Sequence, residues 1–268
     1  MPRPRLGGPY AFGIDESAAR RLKMVHELLT PTSGALLKEV LQRGHFEVVF
    51  DLGCGPGETS RLLNDVLRPA VLVGLDVSEP FLQLARAAVP RGEFIHHDVR
   101  QLPWPRSPAD LAYSRYVLTH LPDPEARLRE WTSQLTAEGL LVIEENEWIA
   151  CRDPAFARYL EIVEQLLAGR GHDLYVGRRL AMFEPRWQRI SRVSEVPGPT
   201  AQVASMFRLN LSAWRAQPDV PSSVDLEELD RALAALEESA EPAGITWALR
   251  QLVIEPGVGP TTWCAWPT

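Results

Sequence analysis

The chain has 268 residues, a length that suits one sizeable α/β domain with a subdomain or lid. Its formal net charge of -7, from 28 Lys and Arg against 35 Asp and Glu, offers no counterion-release drive toward DNA or RNA. A 45% hydrophobic content can build a full core, yet no run is long and apolar enough to span a membrane, and residues 1–9 lack the apolar centre of a signal peptide. Three cysteines, Cys54, Cys151 and Cys264, are odd in number and widely spaced, which predicts reduced thiols in a cytoplasm rather than disulfides or a zinc cluster.

Residues 1–9, rich in Pro, Gly and Arg, read as a loose arm. Asp15-Glu16-Ser17 offers caps for an amphipathic helix carrying Leu22, Val25, Leu28 and Leu29. Thr30-Pro31-Thr32-Ser33-Gly34 then predicts a break, with Ser33 capping a second helix through Leu36, Leu37, Val40 and Leu41. Residues 1–45 are therefore expected to form a helical lid ahead of a core over residues 46–150.

In that core, Val48-Val49-Phe50 runs into the turn Asp51-Leu52-Gly53-Cys54-Gly55-Pro56-Gly57, and a helix follows through Leu62, Leu63, Val66 and Leu67. Val71-Leu72-Val73-Gly74-Leu75-Asp76 is a second strand, and Ser78 caps the helix over residues 81–89. Glu93-Phe94-Ile95-His96-His97-Asp98 and Leu111-Ala112-Tyr113 are the third and fourth strands. Asp123, with a proline at the first helical position, opens a helix through Leu128, Trp131 and Leu135, and Leu140-Leu141-Val142-Ile143-Glu144 is the fifth strand.

Residues 151–268 complete the fold: helices over 155–167 and 179–187, a strand over 190–196, a helical cap insertion at about 197–240 with a helix over 226–239, and a last strand over 247–254. Short apolar strands alternating with helices predict a Rossmann-like α/β fold, a mostly parallel seven-stranded sheet covered on both faces.

A strand, a glycine-rich turn and a helix present backbone N–H groups and a helix N-terminus to a nucleotide-like ligand. Gly53-x-Gly55-x-Gly57 lacks the last spacing of the dinucleotide fingerprint, since position 58 is Glu, and no phosphate-loop motif is present. Asp51 can face a cationic group such as an α-amino group, from which a pyrophosphate would gain nothing. Asp76, about 25 residues on, can accept both hydroxyls of a ribose. Asp98 can take the exocyclic amine of an adenine while Val99 gives a backbone N–H, the other reading of Asp98 being a turn former. A cationic ligand with a ribose and an adenine describes S-adenosylmethionine.

These residues resemble the class I S-adenosylmethionine-dependent methyltransferases, in particular the small-molecule branch of ubiquinone/menaquinone-biosynthesis-like and natural-product enzymes. The resemblance rests on residues 48–57, on Val73-Gly74-Leu75-Asp76-Val77-Ser78, on His97-Asp98-Val99, on Ser114-Arg115-Tyr116-Val117-Leu118-Thr119-His120-Leu121-Pro122-Asp123-Pro124, and on Gly139-Leu140-Leu141-Val142-Ile143-Glu144-Glu145. Thr136-Ala137-Glu138-Gly139 departs from the family's Pro-Gly-Gly loop, and the tail over 261–268 is also unusual. The resemblance implies that Asp51, Gly53, Cys54 and Gly55 hold the methionine part, Asp76 and Val77 the ribose side, Asp98 and Val99 the adenine, and that Ser114 and Arg115 line the floor.

For acceptors that lose a proton, His120 is the first candidate base because histidine titrates near neutral pH, a plain loop histidine being the alternative. His26 on the lid helix is a second candidate. Glu144, with Glu145, is a third, against the reading of solvated strand-end carboxylates. His172 and Asp173 could enter from the late segment; Tyr10, Tyr113, Tyr116 and Trp148 are pocket aromatics or ordinary core. His96 and His97 point to opposite faces of a strand, so no metal is expected. The expected partners are a small-molecule substrate and at most a second copy in a homodimer, without nucleic acid or membrane. Two other readings stay open: a cofactor-binding subunit without methyl transfer, and a nicotinamide-dependent oxidoreductase.

Overall fold

The first element is one helix where the sequence predicts two. A computed structural model, which describes residues 16–214, 220 and 225–256, runs α1 (Glu16–Leu41) unbroken with Pro31 inside it. Proline usually ends a helix because it lacks an N–H and crowds the carbonyl four residues back. Here Leu29 on one side and Ser33, Gly34, Leu36 and Leu37 on the other are all buried, so packing holds both halves in line. Thr30 Oγ1 also donates to the His26 carbonyl at 2.7 Å. The arm over 1–9, Tyr10, Asp15, most of 218–223, the tail and Cys264 lie outside the described residues.

Beyond α1 the order is β1 (Val48–Leu52), α2 (Glu58–Leu67), β2 (Val71–Asp76), α3 (Glu79–Ala88), β3 (Glu93–His96), β4 (Ala109–Arg115), α4 (Pro124–Thr132) and β5 (Leu135–Ala150). Then come α5 (Pro154–Gly169), α6 (Gly177–Leu180), β6 (Gln188–Gly198), α7 (Thr200–Trp214), α8 (Leu226–Glu238) and β7 (Ile245–Ile254). The helix expected over 179–187 shrinks to α6 and a 3-10 turn at Pro185–Trp187, because Glu184 at φ 33 leaves the helical region ahead of the proline.

The seven strands form one sheet in the order β3-β2-β1-β4-β5-β7-β6. The five from β3 to β5 are parallel, and β7 runs antiparallel to both its neighbours. This is the expected Rossmann-like α/β sheet. Its strand order reverses between β1 and β4, and open sheets of this kind bind ligands outside the carboxyl ends of the strands at that switch.

Leu36, Leu37, Leu63 and Leu82 bring α1, α2 and α3 onto one face; Leu128, Trp131 and Leu180 bring α4 and α6 onto the other. A third core joins α1, α5, α7 and α8 beside the β7 start through Leu29, Phe156, Phe207, Trp214, Leu233 and Trp247. In it Tyr159 stacks on Phe207 with ring centroids 3.6 Å apart.

The fifth strand outruns its expected end. It pairs with β4 up to Glu144 and continues along β7 to Ala150, with a register shift between Asn146 and Trp148. Glu144 is therefore a buried mid-strand residue, not a strand end, while the overshoot carries Asn146 and Ile149 to the third core.

Candidate functional site

β1 delivers Asp51 to the switch point with 1% of its surface exposed. Its Oδ2 accepts from Thr59 Oγ1 and Ser60 Oγ, each at 2.6 Å, while Oδ1 is buried without a hydrogen-bond partner among the described residues. Burial pushes this carboxyl up to about 6, against the pull of Ser60 and Thr59. A buried carboxylate with one open oxygen favours a cationic ligand group.

The turn is fastened to β2: the Gly53 and Cys54 N–H groups donate to the Leu75 carbonyl at 2.8 and 3.0 Å. Gly55 takes φ 52, and a Cβ there would meet Leu22 Cδ1 of α1 at 3.9 Å, an ordinary contact, so it is the left-handed backbone that favours glycine at this position. Gly57 is required differently: at φ 90 its Cβ would fall 2.7 Å from the Ala85 Cα of α3. The Cys54 thiol is buried, which pushes its pKa well up and leaves it unreactive.

Asp76 ends β2 and braces the turn, accepting from the Gly55 N–H at 2.9 Å through Oδ2 and from the Ser78 N–H at 2.8 Å through Oδ1. Burial raises its carboxyl above the usual range. Val77 beside it is 63% exposed. Asp98 is held by Arg100 Nε at 2.9 and 3.0 Å; burial opposes its ionisation, but Arg100 outweighs burial and holds it below the usual range. Val99 is buried, its carbonyl accepting from Trp104 Nε1 at 3.2 Å and Trp131 Nε1 at 3.0 Å.

Ser114 Oγ is buried without a partner among the described residues. Arg115 straps α1 to the sheet, donating to Ser33 Oγ at 3.1 Å and to His26 Nδ1 at 3.0 Å. Burial first, then the charges of Arg115 and Arg61, push the His26 imidazole down to about 4. His26 thus lies at this strap and does not line the cavity described next.

A cavity of about 120 Å3 lies where α1, β5, α5 and α7 meet, and Leu22 of α1 is shared between its wall and the neighbourhood of Gly55. Leu22 and Val25 of α1, Ile149 of β5, Val163 of α5, and Met206 and Phe207 of α7 supply apolar walls. Its polar lining includes Arg21, Tyr116, Thr119, His120, Asn146 and Asn210. His120 packs edge-on to His172 with ring centroids 5.8 Å apart. Burial above all, then the charges of His172, Arg21 and Arg170, push it down to about 3, so it is neutral at neutral pH.

The two adjacent glutamates diverge. Glu144 is enclosed by the Tyr113 hydroxyl and by Gln251 Nε2 at 2.6 Å, and does not line the cavity. Glu145 faces the other way, accepting from the Leu118 N–H at 2.7 Å and Thr119 Oγ1 at 2.9 Å, and so fixes the loop that carries His120. Burial pushes its carboxyl up to about 7. Strand alternation gives the opposite facing of the pair, though not which one grips the loop. Asn146, Tyr159 and Asn210 carry no sequence motif; folding brings them from β5, α5 and α7 to Arg21 of α1.

Residues 50–143 match a family model described as a methyltransferase domain. A trans-aconitate 2-methyltransferase of Escherichia coli (strain 55989 / EAEC) is 32% identical over 136 residues, 50% of this chain and 52% of the relative. That of Azoarcus sp. (strain BH72) is 39% identical over 97 residues, 36% of this chain and 38% of the relative. The matched stretch spans at most about half the length of these curated relatives. In fold, the chain is similar to E. coli YjhP, with TM-score 0.55 and 19% identity over 92% of this chain and 100% of that one. It is also similar to the plantazolicin methyltransferase BpumL, solved in complex with SAH, with TM-score 0.50 and 14% identity over 89% and 86%. The matched domain runs from β1 into β5 and includes the glycine turn, Asp76 and Asp98. Over that stretch the chain is similar to methyltransferase domains, and the sheet around it has the fold of the solved methyltransferase.

Proposed function

We propose that the chain transfers a methyl group from S-adenosylmethionine to a small, largely apolar or aromatic acceptor held in the cavity where α1, β5, α5 and α7 meet. The observation that carries this reading is Asp51, a buried carboxylate at the switch point with one oxygen unpartnered among the described residues. The residues present fit the cofactor. Asp51 Oδ1 and Ser114 Oγ are buried without a partner among the described residues, and Gly55 takes the left-handed φ 52 in the turn. In this reading Asp51 takes the ammonium, Gly53, Cys54 and Gly55 pass beneath the methionine part, Asp76 and Val77 face the ribose side, and Val99 borders the adenine. Asp98, already paired with Arg100, acts there as a brace.

When bound, S-adenosylmethionine supplies a methyl carbon on a sulfonium: the acceptor's lone pair forms the new bond and the carbon–sulfur pair stays with sulfur. The chain's work is to place the acceptor atom in line and keep water out. His120, held neutral, accepts a hydrogen bond from an acceptor O–H or N–H and so orients it; so low a pKa makes it a poor sink for a full proton, which the methylated product gives up to solvent. In this reading α1 serves as the lid, and α7 and α8 as the cap.

The relatives named trans-aconitate 2-methyltransferase act, by that name, on a polycarboxylate. Here Arg21 is the one Lys or Arg among the described lining residues, and the walls are mainly apolar, which supports an acceptor with little negative charge. That chemistry favours a setting in natural-product or quinone-like metabolism. Free Cys54 and Cys151, and helices too short or too polar among the described residues to cross a membrane, support work in the cytoplasm.

Calorimetric titration with S-adenosylhomocysteine, and separately with NAD, tests the cofactor half: binding of the first alone is expected, and binding of NAD in its place would overturn it. Incubation with radiolabelled S-adenosylmethionine and single-ring acceptors tests transfer. Tight cofactor binding with no labelled product from any acceptor would favour a non-transferring subunit.

A further inference from the structure

Three uncharged polar groups on residues that line the cavity have no hydrogen-bond partner among the described residues. Asn146 Oδ1 on β5, Asn210 Oδ1 on α7 and the Tyr116 hydroxyl after β4 are all buried without a hydrogen-bond partner among the described residues, and all three residues line the cavity. Asn146 and Asn210 are 6% and 5% exposed. Asn210 is held by its Nδ2, which donates to the Tyr159 hydroxyl, so its amide is fixed in place. Tyr116 sits at φ 59, in the left-handed region that a bulky residue rarely adopts, and its N–H is tied to the Glu144 carbonyl at 3.1 Å. Strained backbone of this kind clusters where a side chain must be presented to a ligand.

Buried polar atoms are ordinarily satisfied, and three orphans around one cavity point to partners that a ligand brings. The Tyr116 phenol is pushed up in pKa, by burial first, and stays protonated. The walls between the three are apolar: Leu22, Val25, Ile149, Val163, Met206 and Phe207. The size, about 120 Å3, is near that of an engineered apolar cavity of about 150 Å3 that holds benzene. No Asp or Glu is among the described lining residues, so a bound polycationic group has no counterpart, and Arg21 alone cannot match a tricarboxylate.

Resting on the methyl-transfer reading, we infer that the acceptor is a single-ring compound carrying at least two neutral hydroxyl groups, which Asn146, Asn210 and Tyr116 recognise. A hydroxyl can both donate and accept, so it satisfies either end of an amide as well as a phenol. The ring fills the apolar space, and the spacing of the hydroxyls selects among rings.

The test is equilibrium binding of four probes to the full chain, with and without saturating S-adenosylhomocysteine: 1,3-dihydroxybenzene, phenol, toluene and trans-aconitate. The expected order is dihydroxybenzene tightest, at least tenfold over toluene and over trans-aconitate, with phenol between. Tyr116→Phe removes one oxygen without changing the shape, and should cut the dihydroxybenzene preference over toluene by about threefold or more. Asn146→Leu, of similar size, should do the same. Trans-aconitate binding tightest, or a dihydroxybenzene preference that survives both substitutions, would overturn the inference. Failure of S-adenosylhomocysteine to bind would sink the methyl-transfer reading instead, while the probe order in its absence still decides the present one.

Discussion

The glycine turn and the neighbouring cavity use buried polar groups in opposite ways. Around the turn, backbone N–H groups satisfy Asp76, hydroxyls from one helix turn satisfy half of Asp51, and Leu75 anchors the loop, all within about one βαβ unit. Around the cavity, the polar side chains come from α1, the segment after β4, β5, α5 and α7, and the apolar walls from α1, β5, α5 and α7. The first region is a local device fixed by neighbours in the chain. The second exists only once the third hydrophobic core has closed. A site of the first kind is expected to resist damage elsewhere, and one of the second kind to depend on the whole cap.

That contrast sets the largest expected effect. Phe207→Ala removes a ring stacked on Tyr159 and packed edge-on to Phe156, and should cost about 3–5 kcal/mol in denaturant unfolding. S-adenosylhomocysteine affinity of the folded variant should stay within threefold of wild type by calorimetry. A large loss of cofactor affinity would show that the two regions are not separable.

The next effect is in pH. With the Asp51 carboxyl raised to about 6 from 3.8, ionising it opposes the fold, so the free protein should lose stability relative to Asp51→Asn as pH rises from about 4 to 6. A cofactor ammonium requires the ionised form. Cofactor affinity should therefore weaken as pH falls below about 6, approaching tenfold per unit, and this dependence should vanish in Asp51→Asn.

Smaller still, His120→Gln should lower kcat/KM about tenfold, the worth of one oriented hydrogen bond, with the S-adenosylhomocysteine Kd unchanged. At the edge of the turn, Val77→Ser should weaken the cofactor by about two- to threefold through lost apolar contact.

The same contrast explains what could be read from the residues alone. The sheet, the turn and the acidic ends of β1 and β2 follow from patterns a few residues long, and the structure brings them to one edge. Pro31 misleads because packing of Leu29, Leu36 and Leu37 overrides a local break signal. Glu144 misleads because its partner, Gln251, lies 107 residues away on a strand that extends β5 past its expected end. Asn146 and Asn210 carry no motif; they matter only because α7 closes against the β5 overshoot.

The account's central claim is that Asp51 holds the cofactor's cationic end. Calorimetric titration of S-adenosylhomocysteine into wild type and Asp51→Asn at pH 7.5 tests it most directly. Asn keeps the size and can still bond Thr59 and Ser60, so only the charge is removed. The predicted result is an intact wild-type site and an Asp51→Asn Kd raised about 100-fold, some 2.7 kcal/mol. An Asp51→Asn protein that binds within threefold of wild type would contradict the claim.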